Sequence, residues 1–261
     1  MNPALWAAKT GLDAQNTRMT VTSNNLANVA TNGFKKDRAT FEDLIYQNVK
    51  QVGSATSQDT MSPSGVALGT GVRVVSTAKS YTQGNLLTTN NSLDLAVEGR
   101  GFFQIQMPDG STGYTRDGAF QTNAQGEVVS SNGYRLQPGI NIPQGALSIA
   151  IGMDGVVTAQ MPNQASPVQI GSIQLADFVN PTGLEARGGN LLFETASSGP
   201  AQPGTPGLNG LGQLQQGSLE SSNVNVVEEL VSMIETQRAY EMNSKAIATT
   251  DQMLQYVTNN I

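Results

Sequence analysis

The side chains that most often carry out chemistry are largely missing from this sequence. It contains neither His nor Cys, which excludes Ser-His-Asp and Cys-His nucleophiles, disulfides and zinc sites built from the usual ligands. Carboxylates remain, and two of them at a suitable separation could act as the acid and base of a glycosidase. The candidate carboxylates are Asp94, Glu98, Asp109, Asp117, Glu127 and Asp154.

Turn formation is a simpler interpretation of three of these six carboxylates. Asp109, Asp117 and Asp154 directly precede Gly, as does Asn132, and such pairs accept the positive φ angles of tight hairpins. Calcium at these turns is the alternative, although no dense run of oxygen ligands accompanies them. Two Gly-x-Gly segments do not complete a nucleotide-binding fingerprint. We therefore expect no catalytic residue, no cofactor and no metal.

The charge pattern favours self-association over nucleic acid. Only 13% of residues are charged and the formal net charge is −6, whereas roughly 25% is usual in soluble domains. Nucleic acid requires a Lys/Arg footprint, and here the basic cluster Lys35, Lys36 and Arg38 is interpreted as a solvated turn after a helix. No apolar run approaches the roughly 18 residues of a membrane span, and the N-terminus lacks a secretory signal pattern. We expect no nucleic acid, no membrane insertion and no cleaved signal.

Both ends of the chain show the spacing of helices that need a partner. The N-terminal stripe consists of Leu5, Ala8, Leu12, Met19, Leu26 and Val29. The C-terminal stripe consists of Val226, Leu230, Met233, Tyr240, Ile247 and Leu254. A second C-terminal stripe consists of Val227, Val231, Ile234, Met242, Ala246, Met253 and Val257. Two stripes predict two contact faces, one on the N-terminal helix and one on a neighbouring subunit.

The first helix is predicted to begin near Pro3 and to end at residues 31–33, where Gly33 supplies a left-handed residue. Asn24, Asn25 and Asn28 are poor helix formers. We expect their side-chain amides to bond to adjacent chains, and the alternative is a frayed turn that faces solvent.

A possible arm follows the first helix. Residues 41–49 could form a short helical turn or a strand. Residues 51–71 are rich in Gly, Ser, Thr and Gln and are predicted to be a long loop or an extended arm. The residues expected to set rigidity in this arm are Gln51, Asp59, Met61 and Pro63.

The centre of the chain is predicted to be β, because short alternating runs are separated by turn dipeptides. The expected strands are residues 72–75, 93–97, 102–107, 128–130, 147–151, 156–159 and 170–178. The predicted fold is therefore α+β: terminal helices pair as a coiled-coil-like stalk around an inserted all-β body, a sandwich or irregular barrel, with an extended arm. The predicted segments are 1–33 and 223–261 for the stalk, 34–72 for the connection and arm, and 73–222 for the body.

Four sequence segments resemble signatures of the flagellar rod and hook family. They are SNNLANVATNGFK at residues 23–35, NSLDLAVEGRGFF at 91–103, YTRDGAF at 114–120 and ELVSMIETQRAYE at 229–241. They span nearly the whole chain in the order of the family. The chain length and residues 5–15 are most similar to the distal rod members, since hook members are usually longer.

This resemblance implies a structural subunit that is exported unfolded through the flagellar type III apparatus and polymerises helically into the shaft that crosses the periplasm. The implied partners are further copies of the chain, proximal rod proteins below, hook protein above, the surrounding rings, the export apparatus and the rod cap. The open alternatives are a proximal rod or hook subunit, a secreted β-rich carbohydrate-active enzyme, and an adhesin.

Overall fold

The computed structural model describes residues 3–259 apart from 54, 58, 59, 62 and 163–165. The chain divides into two compact units. The first unit consists of Met1–Ala27, Asp37–Ala78 and Asn225–Ile261, and the second consists of Asn28–Lys36 and Lys79–Val224. The predicted α+β class is correct, because two long helices accompany a large set of short strands.

The helices of the first unit are α1, Pro3–Ala27, and α2, Val226–Asn259. Asn225 caps α2, since its Oδ1 accepts a hydrogen bond from the Val227 amide at 3.0 Å. The helix α1 ends at Ala27, so the prediction that it continues to residues 31–33 is wrong. Gly33 does adopt a positive φ of 67°, but it lies in the turn segment that follows the helix.

The two helices contact each other through small and polar residues. Arg18 Nη2 on α1 donates a hydrogen bond to Ser232 Oγ on α2 at 3.1 Å and lies 3.6 Å from Glu235 Oε2. Gly11 faces Asn243 so closely that a Cβ at Gly11 would lie 3.0 Å from the Asn243 Nδ2 atom. A glycine inside α1 costs about 1 kcal/mol of helix stability relative to Ala, and here it allows this close approach.

The described residues between 37 and 79 form consecutive antiparallel ladders, so of the two alternatives predicted for residues 51–71, a long loop and an extended arm, they match the arm. Their strands are β1 (Asp37–Asp43), β2 (Tyr46–Lys50), β3 (Ala55–Ser57), β4 (Thr60–Met61), β5 (Val66–Gly69) and β6 (Val72–Lys79). Strand β1 pairs with β6, β2 with β5, and β3 with β4. The segment is therefore one long β-hairpin, which we call the arm hairpin. All residues of β2 and β5 are exposed, so the sequence carries no one-sided apolar alternation that could have revealed these strands.

The base of the arm hairpin lies along α1. The backbone of Asp37 exchanges two hydrogen bonds of 2.9 Å with the Asn25 amide, and the Val72 amide donates to Thr10 Oγ1 at 3.3 Å. Gly71 has a φ of 121°, and a Cβ there would overlap the Thr10 hydroxyl. The helix rises about 22 Å between Thr10 and Asn25, and a strand from residue 37 to residue 44 spans about 23 Å. The two elements therefore match in length between the two anchors.

The second unit contains the β body. Its strands are β7 (Leu86–Thr88), β8 (Leu95–Glu98), β9 (Phe102–Gln106), β10 (Thr112–Thr115), β11 (Phe120–Thr122), β12 (Val128–Ser130), β13 (Arg135–Gln137), β14 (Ser148–Ile151), β15 (Val156–Gln160), β16 (Val168–Ser172), β17 (Leu175–Asp177), β18 (Glu185–Gly188), β19 (Leu191–Phe193), β20 (Gln202–Gly204), β21 (Gln213–Gln216) and β22 (Ser218–Glu220). Pro181–Gly183 forms a short 3-10 helix.

A nine-stranded sheet organises this body. Its path runs β11-β12-β13-β9-β10-β19-β18, and β17 joins both β9 and β20. Strands β14, β15 and β16 form a second sheet, while β21 pairs with β8 and β22 with β7. Among the described strands the large sheet does not close on itself, so the irregular-barrel form of the prediction is not supported. The predicted strand 170–178 divides into β16 and β17, which pair with different sheets.

The core of the body lies on both faces of β9. Phe103 and Ile105 are fully buried in the larger apolar cluster, and Phe103 packs edge-on against Phe120 with ring centroids 5.1 Å apart. Phe102 points to the other face, where it packs with Phe178 in a second cluster. Because successive side chains of a strand alternate between faces, one short strand anchors both clusters.

Candidate subunit-packing surfaces

The helix α2 exposes most of its large apolar side chains. Val227 is 69% exposed and Ile234 is 51% exposed. The other exposed large apolar side chains of this helix are Val226, Leu230, Val231, Tyr240, Met242, Met253, Leu254 and Tyr256. Among the predicted stripe residues of α2 whose burial the structure describes, only Met233 and Ile247 are half-buried rather than exposed. A run of exposed apolar residues along one element marks an interaction surface.

The face of α2 that is turned toward α1 combines buried polar residues with half-buried apolar ones. Thr236 is 0% exposed and Glu229 is also buried, and Ser232 and Asn243 contact α1 as described above. These four positions recur at intervals of three, four and seven residues, so they share one side of the helix, which we call the polar seam. The sequence interpretation missed these four residues because it searched for apolar periodicity.

The predicted apolar packing residues of α1 are neither fully buried nor fully exposed. Leu5, Leu12, Met19 and Leu26 are half-buried within the chain. On the same helix, the small residues Ala14 and Thr22 are buried. These apolar side chains of α1 therefore keep part of their surface exposed within the single chain.

The three asparagines at the end of α1 have different environments. Asn25 is 2% exposed, and both ends of its amide bond to the backbone of Asp37, so the prediction that it bonds to an adjacent chain is wrong. Asn28 is half-buried, and its Oδ1 accepts a hydrogen bond from Thr31 Oγ1 at 3.2 Å. Asn24 is exposed on the surface of the helix.

The arm hairpin presents apolar side chains to solvent. Ile45, Tyr46, Val49, Val52 and Val66 are all exposed. An isolated two-stranded hairpin is at best marginally stable in water, so this exposed apolar surface favours a covering partner.

The predicted arm residues lie at the far end of this hairpin. Gln51 and Pro63 are exposed. Met61 belongs to β4. Asp59 lies outside the described residues.

Three of the six candidate catalytic carboxylates close turns. Asp109 Oδ1 accepts hydrogen bonds from the amide and the hydroxyl of Ser111 at 2.9 and 2.6 Å, which lowers the pKa of Asp109. Asp117 and Asp154 accept bonds from the amides two residues further on, at 3.1 and 3.2 Å. Burial raises the pKa of Asp117. These bonds support the turn interpretation of the Asp-Gly pairs.

A buried charge cluster in the second unit escaped the sequence interpretation. Glu220 has a side chain that is 0% exposed, and its Oε1 accepts hydrogen bonds from Lys35 Nζ at 2.6 Å and from the Gly84 amide at 2.9 Å. Arg116 Nη1 lies 3.4 Å from the other carboxylate oxygen. Lys35 also donates to the Thr82 carbonyl at 2.8 Å. The prediction that Lys35 lies in a solvated turn is therefore wrong.

Burial dominates the electrostatics of this cluster. It lowers the pKa of Lys35, and the nearby carboxylate of Glu220 opposes that shift while the charge of Arg116 adds to it. Burial also lowers the pKa of Arg116, against the opposing effect of Glu220. One carboxylate thus serves two buried cations, which is a costly arrangement unless all three groups are in place.

Comparison with known proteins defines the class of this α+β chain. The model for the flagellar hook protein FlgE/F/G D1 domain matches residues 96–159. The model for the C-terminal part of flagellar basal body rod FlgEFG proteins matches residues 215–261, and that for the flagella basal body rod protein matches residues 5–35. The chain therefore falls into the class of flagellar rod and hook proteins. In the part that the structure describes, neither long helix has a stretch apolar enough to cross a bilayer.

Relatives that align over nearly the whole chain narrow this class to one family. The chain is 57% identical to the flagellar basal-body rod protein FlgG of Buchnera aphidicola from Schizaphis graminum, over 98% of each chain. It is 45% identical to FlgG of Borreliella burgdorferi, over 99% of this chain and 98% of that one. Identity to the flagellar basal-body rod protein FlgF of Caulobacter vibrioides is 34%, over 93% and 92%. The chain belongs to the FlgG family of flagellar basal-body rod proteins.

Proposed function

We propose that this chain is the structural subunit of a distal flagellar rod, and that copies of it polymerise helically into a rigid, hollow shaft. The shaft transmits motor torque to the hook and passes exported subunits through its bore. The observation that carries this proposal is the exposed apolar surface of α2, which the chain does not cover with its own N-terminal helix. Because the chain belongs to a family of rod proteins, we expect copies of it to cover this surface of α2 in a rod.

The proposed packing uses the two faces of each terminal helix differently. The polar seam joins α1 to α2 within a subunit as a coiled-coil-like pair, and the apolar residues of both helices pack on neighbouring subunits. Such a contact is heterologous, because one surface meets a different surface on the next copy. When the rotation of a heterologous contact does not close, it generates a helical filament.

A polymerisation assay on the purified chain tests this proposal. Above a critical concentration the chain should sediment as straight tubular filaments when examined by electron microscopy. A chain that stays monomeric at all accessible concentrations, or that forms closed rings, would contradict helical assembly through the terminal helices.

We further propose that the far end of the arm hairpin, residues 51–63, sets the stiffness of the rod. An extended segment that wedges between subunits blocks the sliding that a flexible joint requires. The exposed apolar residues of β2 and β5 support this role, since they need cover from another surface. The paired base of the hairpin on α1 gives the arm a fixed root.

The register of the arm hairpin makes a clean deletion possible. Lys50 pairs with Val66, so removing residues 51–63 leaves Ser64 and Gly65 as a two-residue loop between paired strands. Two-residue loops that contain Gly close antiparallel hairpins well. The shortened chain should still assemble but should form rods that bend, measured as a shorter persistence length in micrographs. The matched control replaces residues 51–63 by a scrambled sequence of the same composition. An equally straight rod after deletion would refute the stiffness role.

The remaining partners follow from a position in the rod. We propose proximal rod proteins below this subunit, hook protein above it, the basal-body rings around it, and the export apparatus and rod cap during assembly. The proposed location is the part of the basal body that crosses the periplasm, which the chain reaches by flagellar export without a cleaved signal. Electron cryotomography of cells that carry a tagged chain tests this location, and density in the hook would contradict it.

A further inference from the structure

The buried charge cluster joins three segments of the second unit that are distant in sequence. Lys35 lies in the segment 28–36 that follows α1, which we call the entry segment. Glu220 lies on β22 in the exit segment 217–224 that precedes α2. Arg116 belongs to the β body between them. Glu220 is separated from Lys35 by 185 positions and from Arg116 by 104.

The β body holds Arg116 in place without help from either segment. Its guanidinium donates hydrogen bonds to the carbonyls of Val97 at 3.3 Å and Gly99 at 2.7 Å. Its Cζ atom also lies 5.2 Å from the centroid of the Phe102 ring, a cation–π distance. A buried positive charge is therefore in position once the large sheet has formed.

The entry segment brings a second positive charge to the same place. Lys35 docks with its ammonium between the Thr82 carbonyl and the Glu220 carboxylate. Without Glu220, docking would bury two cations near each other with one neutral acceptor for Lys35. Burying an unpaired charge is strongly unfavourable, and a second like charge increases the cost.

The exit segment can dock without an equivalent penalty. Its backbone pairs with β7 through Glu220 and Leu86, and the carboxylate of Glu220 meets the positive charge of Arg116 that is already in place. Once the exit segment has docked, the Glu220 carbonyl can accept a hydrogen bond of 2.7 Å from the Gly33 amide. Asn223 then accepts a bond from the Lys36 amide at 2.7 Å and donates one to the Ser80 carbonyl at 2.8 Å.

We propose that Glu220 is a latch that orders the closure of the second unit: the exit segment docks on the β body first, and the entry segment can dock only afterwards. The residues that lead to α1 and α2 are thus brought together after the body has formed and after residue 220 has reached it. This order of closure does not depend on the proposed function. In an exported rod subunit it would delay the joining of the terminal helices until nearly the whole chain is available.

Pulse-labelling hydrogen exchange during refolding of the full chain tests the order directly. The Gly33 amide reports on the entry segment because it donates to the Glu220 carbonyl at 2.7 Å. The Ser221 amide reports on the exit segment because it donates to the Asn85 carbonyl at 2.8 Å. We expect Gly33 to become protected after Ser221. Protection of Gly33 before Ser221, or at the same rate, would overturn the proposal.

Native-state exchange on Glu220→Gln supplies the second test. We expect exchange at the Gly33 amide to accelerate by at least about a hundredfold, since removing one partner of a buried ion pair is strongly destabilising. The core reporter is the Leu95 amide, which donates to the Gly118 carbonyl at 3.0 Å, and it should change by less than about threefold in a local opening. Glu98→Gln, at an exposed carboxylate, is the matched control. Equal acceleration at Gly33 and Leu95, or none at Gly33, would overturn the latch.

A rescue variant keeps the test decisive if Glu220→Gln fails to fold. Lys35→Met removes the second cation, so the double variant Lys35→Met/Glu220→Gln should fold more stably and protect the Gly33 amide better than Glu220→Gln alone. A double variant that is less stable than Glu220→Gln would contradict the argument, because the penalty would then not arise from two unneutralised cations.

Discussion

Replacing Ile234 by Gln separates the stability of the subunit from the stability of the polymer. Ile234 is 51% exposed on α2, so about half of its side chain already faces water in the free chain. The half that is covered within the free chain is worth about 1 kcal/mol, so the substitution should lower the free energy of unfolding by about 1 kcal/mol at most. Gln is also a good helix former, so α2 itself should be preserved.

The same substitution should weaken polymerisation strongly. Full burial of an Ile side chain is worth about 1.5–3 kcal/mol, and covering the exposed half of Ile234 would contribute about 1 kcal/mol. Burying a Gln amide without a partner adds a penalty of about 1–3 kcal/mol. The sum, about 2–4 kcal/mol, raises the critical concentration by about 30- to 700-fold, since 1.4 kcal/mol corresponds to a factor of ten.

Two measurements on the same preparations check this prediction. Sedimentation gives the critical concentration, and chemical denaturation of the free chain gives the free energy of unfolding. The control Glu241→Gln changes an exposed polar position of the same helix and should leave both values nearly unchanged. Ile105→Ala, at a fully buried position of β9, should instead lower the free energy of unfolding by about 2–5 kcal/mol. If Ile234→Gln destabilises the free chain as much as Ile105→Ala does, or leaves the critical concentration unchanged, the reasoning is refuted.

Three further predictions concern the helices, the arm and a turn. In a verified monomer, the amides of α1 and α2 should exchange much faster than those of β9, because their shared seam is polar and isolated helices are marginal in water; strong protection of both helices would contradict this. Gly71→Ala should detach the base of the arm hairpin from Thr10, since its φ of 121° and the overlapping Cβ are both unfavourable, and faster exchange at the Val72 amide, with β9 unchanged, would show it. Burial raises the pKa of Asp117 above its ordinary value of 3.8, so the native state binds the proton more tightly than the unfolded chain and the carboxylate costs stability as the pH rises through the acid range. The stability advantage of Asp117→Asn over the parent chain should therefore grow with pH there and then level off, and an advantage that shrinks with rising pH would contradict this sign.

The sequence predicted the elements whose periodicity reports burial. The strand at residues 128–130 is an example, because alternation is a local property. The helix α1 ends earlier than predicted, since the partner of Asn25 is the backbone of Asp37, which lies beyond the turn that follows the helix. The sequence left a loop and an extended arm open for residues 51–71, because strands that are exposed on both faces have no apolar period.

The buried charge cluster could not be predicted from local pattern. Lys35 belongs to a short basic run that looks solvated, and its carboxylate partner lies 185 positions away. Only the tertiary fold brings Glu220 to it. The polar seam of α2 could not be predicted for a related reason, since Thr236 and Asn243 belong to neither apolar stripe. In both places polar side chains make contacts within the chain that hydrophobic periodicity does not reveal.

Electron cryomicroscopy of filaments formed by this chain tests the central claim most directly. A helical reconstruction at side-chain resolution should place Val227, Val231 and Ile234 against the terminal helices of neighbouring subunits, with the polar seam between α1 and α2 retained inside each subunit. Filaments in which subunits join through their β bodies alone, with these three side chains still exposed to solvent, would contradict the account.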